Sequence, residues 1–457
     1  MYRSIRNLEG GEVYRYTSSI GHDHRIYREV VTVIIAHALH LREKGLIPEG
    51  VWDRVRSSLL QLSSIQPGEV LKPGYEDIFE AVEAWLSKAI GDDAGWIWLG
   101  RSRNDHVAAA LRLYTLRAGY KVLAESAKLR VALAEKAVEH RDVILPGFTH
   151  GQASQVLTGA CLFTAYEEAV AEAETLVEAA LRASHKSPLG AGAGAGSIAP
   201  LDEARLAQLL GFTHIYSSPY YASGSRLFLE STLAALAVVG VEATRIAEDL
   251  IALAELGVAR LPRGHIATSS IMPHKENPAT LEIVRSLGSR LLGLAQAGLG
   301  VALKLRYSYN LDLQEANPVL YQALDDATLV LEALASVVNG VQLDPEMGAR
   351  LVGELRPWSS ELAETIAIRT QIPLRRAYST VAKAIVEGRL EDLAREHDLD
   401  PARVPEARRA GCSKARMEAV LEERLGSARV ALEERLDTLR ELEERLESLV
   451  SLLRGQS

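Results

Sequence analysis

Sulfur-containing and aromatic residues are scarce in this 457-residue sequence, which has two cysteines, four methionines and 5% aromatic residues. The two cysteines, Cys161 and Cys412, are far apart in the sequence and lack metal-ligand spacing, so we interpret them as packed or incidental thiols. The sequence is therefore not that of a small disulfide-rich extracellular scaffold.

A long apolar run is also missing. No uninterrupted apolar stretch approaches the roughly 20 residues that a membrane span needs, and residues 1–16 carry charges and glycines where a signal peptide would be apolar. We therefore expect a cytoplasmic protein with no membrane role. The net charge of -9 argues against nucleic acid as a main partner.

The sequence is rich in helical periodicity. Apolar residues recur at helical spacing over unusually long segments, while no segment alternates convincingly as a strand. The segments are 106–140, 155–184, 226–258 and 276–305. Helices of this length are typical of a bundle, so we predict an all-α fold.

Leucines recur every seven residues near the end of the sequence, which predicts a helical hairpin or coiled-coil-like pair in a small terminal subdomain. They are Leu425, Leu432, Leu439, Leu446 and Leu453.

Two segments resemble ligand sites only superficially. The glycine run at 190–196 follows a helical pattern and not the apolar strand that a dinucleotide-binding loop requires. We interpret it as a loop that lets the backbone approach a ligand or a neighbouring helix. The segment His22-Asp23-His24 has no third ligand at suitable spacing, so we expect no metal.

Three loops combine ionisable side chains with glycine or proline. In GRSRND at 100–105, two arginines, a serine and an asparagine could clamp a carboxylate, or could simply cap the next helix. In PGFTHGQ at 146–152, a histidine could be a general acid or base, or a structural residue. In SSIMPHKENP at 269–278, polar groups precede a helix start, which suits either a carboxylate or ordinary capping.

Together, GRSRND, PGFTHGQ and SSIMPHKENP stand in the order and approximate spacing of the signature regions of the fumarase/aspartase superfamily. The first two most resemble the argininosuccinate lyase family. The resemblance implies a three-domain, mostly helical subunit with a long central helical bundle, divided at 1–105, 106–355 and 356–457. It further implies a homotetramer in which each active site draws on three subunits.

The reaction implied by this resemblance is the reversible elimination of arginine from argininosuccinate, which leaves fumarate and needs no cofactor. Ser269 matches the family's base, and Lys275 would supply positive field for its alkoxide. His150 matches the histidine on the acid side, with Glu282 as the carboxylate that orients it. The substrate-binding positions implied are Ser19, Asp23, Ser102, Arg103, Asn104, Thr149, Ser270, Asn277, Tyr309 and Gln314.

Several positions depart from the family pattern. Asn317 and Leu311 stand where many members have lysine, and Arg226 is displaced by one position from the expected substrate arginine. The stretch MPHK at 272–275 is closer to adenylosuccinate lyase, which is one alternative. An inactive structural protein of the kind found among lens crystallins is another.

Overall fold

The computed structural model describes residues 11–455, which are mostly helical. In chain order the α-helices are α1 (Gly11–Thr17), α2 (Tyr27–Glu43), α3 (Glu49–Leu62), α4 (Pro67–Val70), α5 (Ile78–Ile90), α6 (Arg103–Glu139), α7 (Gly159–Arg182), α8 (Glu203–Leu210), α9 (Pro219–Gly224), α10 (Leu227–Glu255), α11 (Ala279–Ala302), α12 (Ala316–Gly340), α13 (Pro345–Leu355), α14 (Ser359–Thr370), α15 (Leu374–Val386), α16 (Leu390–Glu396), α17 (Val404–Ala407), α18 (Lys414–Glu443) and α19 (Arg445–Gly455).

Short elements join these helices. The 3-10 helices are Asp23–Ile26, Gly91–Trp98, Ala183–His185, Arg263–His265, Leu311–Glu315 and Pro401–Arg403. The strands are β1 (Ile144–Thr149), β2 (Gln152–Thr158), β3 (Lys186–Ser187), β4 (His214–Ile215), β5 (Ala259–Arg260), β6 (Ala267–Thr268), β7 (Glu276–Asn277) and β8 (Gln342–Leu343). They pair as β1–β2, β5–β8 and β6–β7, all antiparallel, and β3–β4, which is parallel.

Five helices, α6, α7, α10, α11 and α12, pack lengthwise into a central bundle, which confirms the predicted all-α fold. The longest, α6, has 37 residues and is about 55 Å long at 1.5 Å per residue. Helices α10 and α11 approach closely because glycines face each other. A Cβ added at Gly240 would lie 2.5 Å from the carbonyl oxygen of Gly288.

The bundle has two distinct ends. At the first end, α6 and α12 meet near their starts, where the rings of Tyr114 and Tyr321 lie 4.8 Å apart. At the second end, α10 and α12 finish together, because the strands that follow them, β5 and β8, form one pair. Since α11 runs antiparallel to α10, it begins at the second end and finishes at the first.

A β-hairpin follows α6, so the expectation that convincing strands are absent was wrong. Strands β1 and β2 pair along most of their length, and the helix predicted to start at residue 155 begins only at Gly159. Pro146 and Gly147 fall at an irregularity in the register, which hides the alternating pattern that marks a strand. Helix α7 starts where Thr158 caps it, accepting a hydrogen bond from the backbone N–H of Cys161.

The leucine-rich C-terminal helices pack back onto the bundle, so the predicted helical hairpin or coiled-coil-like pair was wrong. Helix α18 lies along α6 and α7, and α19 packs on α2 and α3 through Leu446, Leu449 and Leu453. A separate small core is formed by α14 to α17 around Trp358 and Leu362. The leucine-rich C-terminal helices therefore pack against the main body of the subunit and not against each other as a separate subdomain. The division into three domains stays a prediction.

The two cysteines form a disulfide, so their interpretation as packed or incidental thiols was wrong. Cys161 in the first turn of α7 is bonded to Cys412, which precedes α18, and their Cα atoms are 5.7 Å apart. The two cysteines are 251 residues apart in the sequence, and they meet because the chain returns to the second end of the bundle. Their spacing in the sequence therefore could not predict the contact.

Helix α10 passes a length and composition test for a membrane span, with mean hydropathy 1.6 over its most apolar window. Within that window 56% of residues are buried. Because these residues contact α7, α11 and α12, the apolar character of α10 is accounted for by its place in the bundle.

Candidate functional site

A buried acidic residue lies at the first end of the bundle. The side chain of Asp23 is 4% exposed and accepts hydrogen bonds at Oδ2 from the hydroxyl of Ser19 at 2.8 Å and the backbone N–H of Ile78 at 2.9 Å. Burial raises the pKa of Asp23 to about 7, because the charged form loses hydration. Ser19 and Asp23, predicted from family resemblance, therefore form one polar unit.

The start of α6 carries the GRSRND motif, and Ser102 is its N-cap. The Ser102 hydroxyl accepts from the N–H of Asn104, while Asp105 Oδ1 accepts from the N–H of Ser102 at 3.0 Å. Asp105 Oδ2 accepts from the N–H of Gly192 at 2.9 Å, which fastens the glycine run to the start of the helix. Gly192 has φ 56°, and a Cβ there would meet the carbonyl oxygen of Gly196, so close backbone approach requires glycine.

The two arginines of GRSRND point to different surroundings. Arg103 lies near the carboxylates of Glu76 and Asp77, at 3.1 and 3.3 Å. Arg101 stacks on the indole of Trp98, with its guanidinium carbon 3.9 Å from the ring centroid. Burial lowers the pKa of Arg101 to about 10. The interpretation of both arginines as one carboxylate clamp was therefore wrong, because Arg101 is occupied by packing.

Tyr309 and Gln314 lie at the same end. Gln314 donates through Nε2 to the carbonyl of Thr17 at 3.0 Å, and the guanidinium of Arg226 lies 5.9 Å from the centroid of the Tyr309 ring. Burial raises the pKa of Tyr309, which also lies within the electrostatic reach of Asp77. The structure thus brings Ser19, Asp23, Ser102, Arg103, Asn104, Tyr309 and Gln314 to one end of the bundle.

Three neighbours of this cluster were missed as site residues: Glu76, Asp77 and Tyr321. Asp77 was detectable in principle, because Asp before an apolar helical pattern is a helix-cap signal, and it caps α5 by accepting from the N–H of Glu80. Tyr321 was not, because an aromatic residue within a helical stripe is usually core.

Thr149 and His150 lie at the second end, at the turn of the β1–β2 hairpin. His150 has φ 54° and Gly151 has φ 71°, and two successive residues with positive φ are characteristic of a type I′ turn. Both Thr149 and His150 are exposed, and the imidazole makes no hydrogen bond within the part of the chain that the structure describes. The turn therefore presents the histidine outward from the subunit.

The loop at 269–275 is closed by strands β6 and β7, which pair Ala267 with Asn277. Ser269 is the partly buried residue of this loop, and its hydroxyl accepts from the N–H groups of Ile271 at 3.4 Å and Met272 at 3.1 Å. Lys275 is exposed. The loop therefore aims two backbone donors at one serine oxygen and leaves an ammonium group facing outward.

The remaining predicted residues of this region are Ser270 and Glu282, both exposed, and Asn277, which is half-buried. Glu282 lies in the first turn of α11, whose 24 residues span about 36 Å between the two ends of the bundle. Within one chain the loop and the hairpin are therefore far from Asp23 and Arg103. One chain does not assemble all the predicted site residues around a single point.

The architecture is that of the fumarase/aspartase superfamily. An EDDS lyase with bound fumarate superposes with a TM-score of 0.82 at 21% identity, covering 95% of this chain and 93% of that one. A class II fumarase from Schistosoma mansoni superposes with a TM-score of 0.72 at 17% identity, covering 88% and 94%. At these identities the similarity establishes the fold alone.

Sequence comparison defines the family more narrowly. A family model described as lyase matches residues 13–293. Curated argininosuccinate lyases from Pyrobaculum arsenaticum and Pyrobaculum islandicum are 40% and 39% identical, each covering 85% of this chain and 90% of the relative. One from Sulfurisphaera tokodaii is 37% identical, covering 82% of both. The chain belongs to the argininosuccinate lyase family.

Proposed function

We propose that the protein reversibly cleaves argininosuccinate to arginine and fumarate by β-elimination, with Ser269 as the base. The observation that carries this proposal is the loop at 269–275, in which two backbone N–H groups point at the Ser269 oxygen. A free serine is a poor base because its hydroxyl is rarely deprotonated. Hydrogen-bond donors held in place around its oxygen stabilise the alkoxide form, which can act as a base. The exposed ammonium of Lys275 in the same loop adds positive field.

The chemical steps follow from this arrangement. Ser269 takes a proton from the succinyl carbon next to a carboxylate, and the electron pair left on that carbon forms the double bond of fumarate. The bond between the neighbouring carbon and the guanidino nitrogen breaks, and its electrons go to nitrogen. Ser270 and Asn277 would donate to the carboxylate whose negative charge grows, and a preorganised set of such donors is usually the largest catalytic contribution.

His150 is the proposed acid for the leaving guanidino nitrogen, with Glu282 orienting its imidazole. Both side chains are exposed in the single chain, so each is available to another copy. A carboxylate that accepts from one imidazole nitrogen fixes the ring and leaves the other nitrogen to deliver a proton.

Substrate binding is proposed for the first end of the bundle. The cluster of Ser19, Asp23, Arg103, Tyr309 and Gln314 offers donors and acceptors of both charge signs, which suits a zwitterionic amino-acid substrate. Ser102 and Asn104 at this end, and Thr149 on the hairpin at the second end, complete the proposed set.

We propose a homotetramer, which the same geometry supports. The first end of one subunit must meet the second end of another before Asp23, His150 and Ser269 can contact one substrate, because α6 and α11 hold these residues tens of ångströms apart in one chain. Antiparallel association of the long helices would bring opposite ends together. We propose that the cleavage of argininosuccinate occurs in the cytoplasm, as the last step of arginine biosynthesis.

Fumarate release from purified protein tests the proposal. We expect turnover of argininosuccinate and none of adenylosuccinate. Turnover of adenylosuccinate alone would establish the alternative suggested by Met272, His274 and Lys275. No turnover of either substrate by folded, tetrameric protein would favour an inactive structural role. Solution mass measured on the same sample checks the tetramer.

A further inference from the structure

The loop that follows α11, residues 303–310, contains two residues other than glycine with positive φ. Lys304 has φ 68° and Ser308 has φ 70°. A residue with a side chain is disfavoured in this left-handed region, so the conformation persists only where the surroundings hold it, and it is found most often at functional sites. Leu303 and Tyr307 are 70% and 74% exposed, so burial of the outer face does not hold the loop. Contacts on its inner face must do so.

Ser308 packs on helix α9 and on the glycine run at 190–196. Its hydroxyl is hydrogen-bonded at 3.1 Å to the hydroxyl of Ser223, which is 0% exposed, and it donates to the carbonyl of Ala193 at 3.5 Å. A Cβ added at Gly224 would overlap the carbonyl oxygen of Ser308. The backbone of the loop therefore lies directly against a glycine of α9, and a buried hydroxyl group holds it there.

The glycine run connects this loop to the start of α6. A Cβ added at Gly194 would lie 2.9 Å from the hydroxyl oxygen of Ser308, so the run and the loop are in close contact. Two residues earlier, the N–H of Gly192 donates at 2.9 Å to Asp105, which lies in the first turn of α6. The loop, the glycine run and the start of α6 therefore form one connected unit.

Tyr309 follows Ser308 directly, and its side chain depends on the backbone for its position. Its hydroxyl makes no hydrogen bond within the range of residues that the structure describes. The phenol nevertheless lies within the electrostatic reach of Arg226, Asp77 and Arg103, which places it in the polar cluster at the first end. Because no side-chain hydrogen bond restrains the phenol, a shift of the backbone at Ser308 would move it relative to the groups proposed to bind the substrate.

We propose that Ser308 is a positioning residue, whose hydrogen bond to Ser223 holds the phenol of Tyr309 in the substrate-binding cluster. Ser308 itself does not contact the substrate. Without this hydrogen bond the backbone at Ser308 can leave the left-handed region, and Tyr309 then leaves its place in the cluster. The inference rests on the proposed function for the identity of the substrate, whereas the contact between the two serines is independent of it.

Steady-state kinetics with argininosuccinate test the positioning role. In Ser308→Ala the KM should rise roughly 3- to 10-fold with little change in kcat, because one neutral hydrogen bond is lost and Tyr309 contributes to binding. Tyr309→Phe should also raise the KM, and adding Ser308→Ala to Tyr309→Phe should raise it little further, because both changes act through the same phenol hydroxyl. Fully additive effects would mean that Ser308 does not act through Tyr309, and would overturn the inference.

Limited proteolysis with trypsin tests the contact between the serines without turnover, because Lys304 and Arg306 are exposed cleavage sites in the loop. Cleavage at these sites should be roughly 3- to 10-fold faster in Ser308→Ala than in wild type, since losing the hydrogen bond raises the population of the locally opened loop. Ser223→Ala removes the same hydrogen bond from the other side and should match it. The double variant should be cleaved no faster than either single one.

Ser379→Ala is the matched control. It also removes a serine hydroxyl bond, to the carbonyl of Arg375 at 2.9 Å on the exposed face of α15, and should leave both measurements unchanged. If Ser308→Ala does not fold, Ser223→Ala alone decides both measurements. Wild-type cleavage rates in the folded variants would overturn the inference. Faster cleavage in variants of a protein that does not turn over argininosuccinate would support the contact between the serines and count against the proposed function alone.

Discussion

The predicted site residues at the two ends of the bundle differ in how they are held within one chain. At the first end, Asp23, Ser102 and Asp105 are held by hydrogen bonds from fixed backbone N–H groups, and Arg103 lies between two carboxylates. At the second end, His150 is exposed and has no partner in the described chain.

This difference suggests that substrate recognition and the chemical step are carried out at different ends of the bundle. A buried cluster held by fixed backbone N–H groups is preorganised before the substrate arrives, which suits recognition. Exposed groups on a turn and a loop can be brought to a substrate by association or by loop closure, which suits chemistry that must exclude water. The first end is therefore the proposed binding site, and we propose that the second end supplies the reacting groups to a neighbouring copy.

The largest expected effect is at the second end. Ser269→Ala removes the proposed base, so kcat for argininosuccinate should fall by roughly two to four orders of magnitude, the usual contribution of a positioned base. L-arginine binding at the first end should be unchanged, because the substitution is remote from Asp23. Steady-state kinetics and calorimetry measure the two ends independently. An active Ser269→Ala enzyme would remove Ser269 from the mechanism.

Mixing defective variants tests whether the two ends of different chains meet. Ser269→Ala and Arg103→Met should each be inactive, and tetramers assembled from both should regain activity, because some sites receive an intact loop from one chain and an intact first end from another. Assembly after co-expression, with fumarate release as the readout, measures this recovery.

Lys275→Met offers a matched control, since it lies in the same loop as Ser269. Hybrids of Ser269→Ala with Lys275→Met should recover nothing, because every site receives one defect or the other from the same loop. Recovery in both mixtures, or in neither, would contradict the proposed sharing of sites between chains.

The disulfide links the start of α7, at the second end of the bundle, to the segment before α18. It joins Cys161, just after the hairpin, to Cys412, and its sequence separation is 251 residues. Cys412→Ser should lower the free energy of unfolding by up to about 5 kcal/mol, because the unfolded chain regains the freedom of a long loop. Thermal unfolding with and without a reductant measures the effect. The Cys161→Ser/Cys412→Ser double variant should match the single one, whereas additive losses would mean that each cysteine acts separately.

The helical bundle was predictable from the sequence, whereas the hairpin and the disulfide were not. The long helices were predictable because their apolar spacing is local. The hairpin was not, because Pro146 and Gly147 interrupt the alternation that marks a strand. The disulfide was not, since spacing along the chain says nothing about contact in space.

Some features of the candidate site were likewise predictable from the sequence and others were not. Ser19, Asp23 and Arg103 come together as the family resemblance implied, because each lies on an element fixed at the first end. The divergence of Arg101 from Arg103 was not predictable, since it depends on the position of Trp98. The burial of Arg226 beside Tyr309 is a tertiary property that no motif encodes.

The smallest expected effect is a pH dependence of stability at the first end. Burial raises the pKa of Asp23 to about 7, above the roughly 4 of an unfolded aspartate, so the native state holds a proton that the unfolded state has lost between these values. The free energy of unfolding should therefore decrease as pH rises through this window and level off above it. For one group the slope is at most about 1.4 kcal/mol per pH unit.

Asp23→Asn isolates this contribution, because an amide oxygen can still accept from Ser19 and Ile78 while the side chain no longer titrates. Denaturant unfolding of both proteins between pH 4 and pH 8 should give stability curves that lie close together near pH 4 and separate as pH rises, because the variant lacks the wild type's extra downward slope. Asp105 has a similarly raised pKa and is unaltered in both proteins, so it cancels in the difference. Parallel curves would mean that Asp23 is ionised across the whole range, and the first end would then present a fixed negative charge to the substrate's cationic groups.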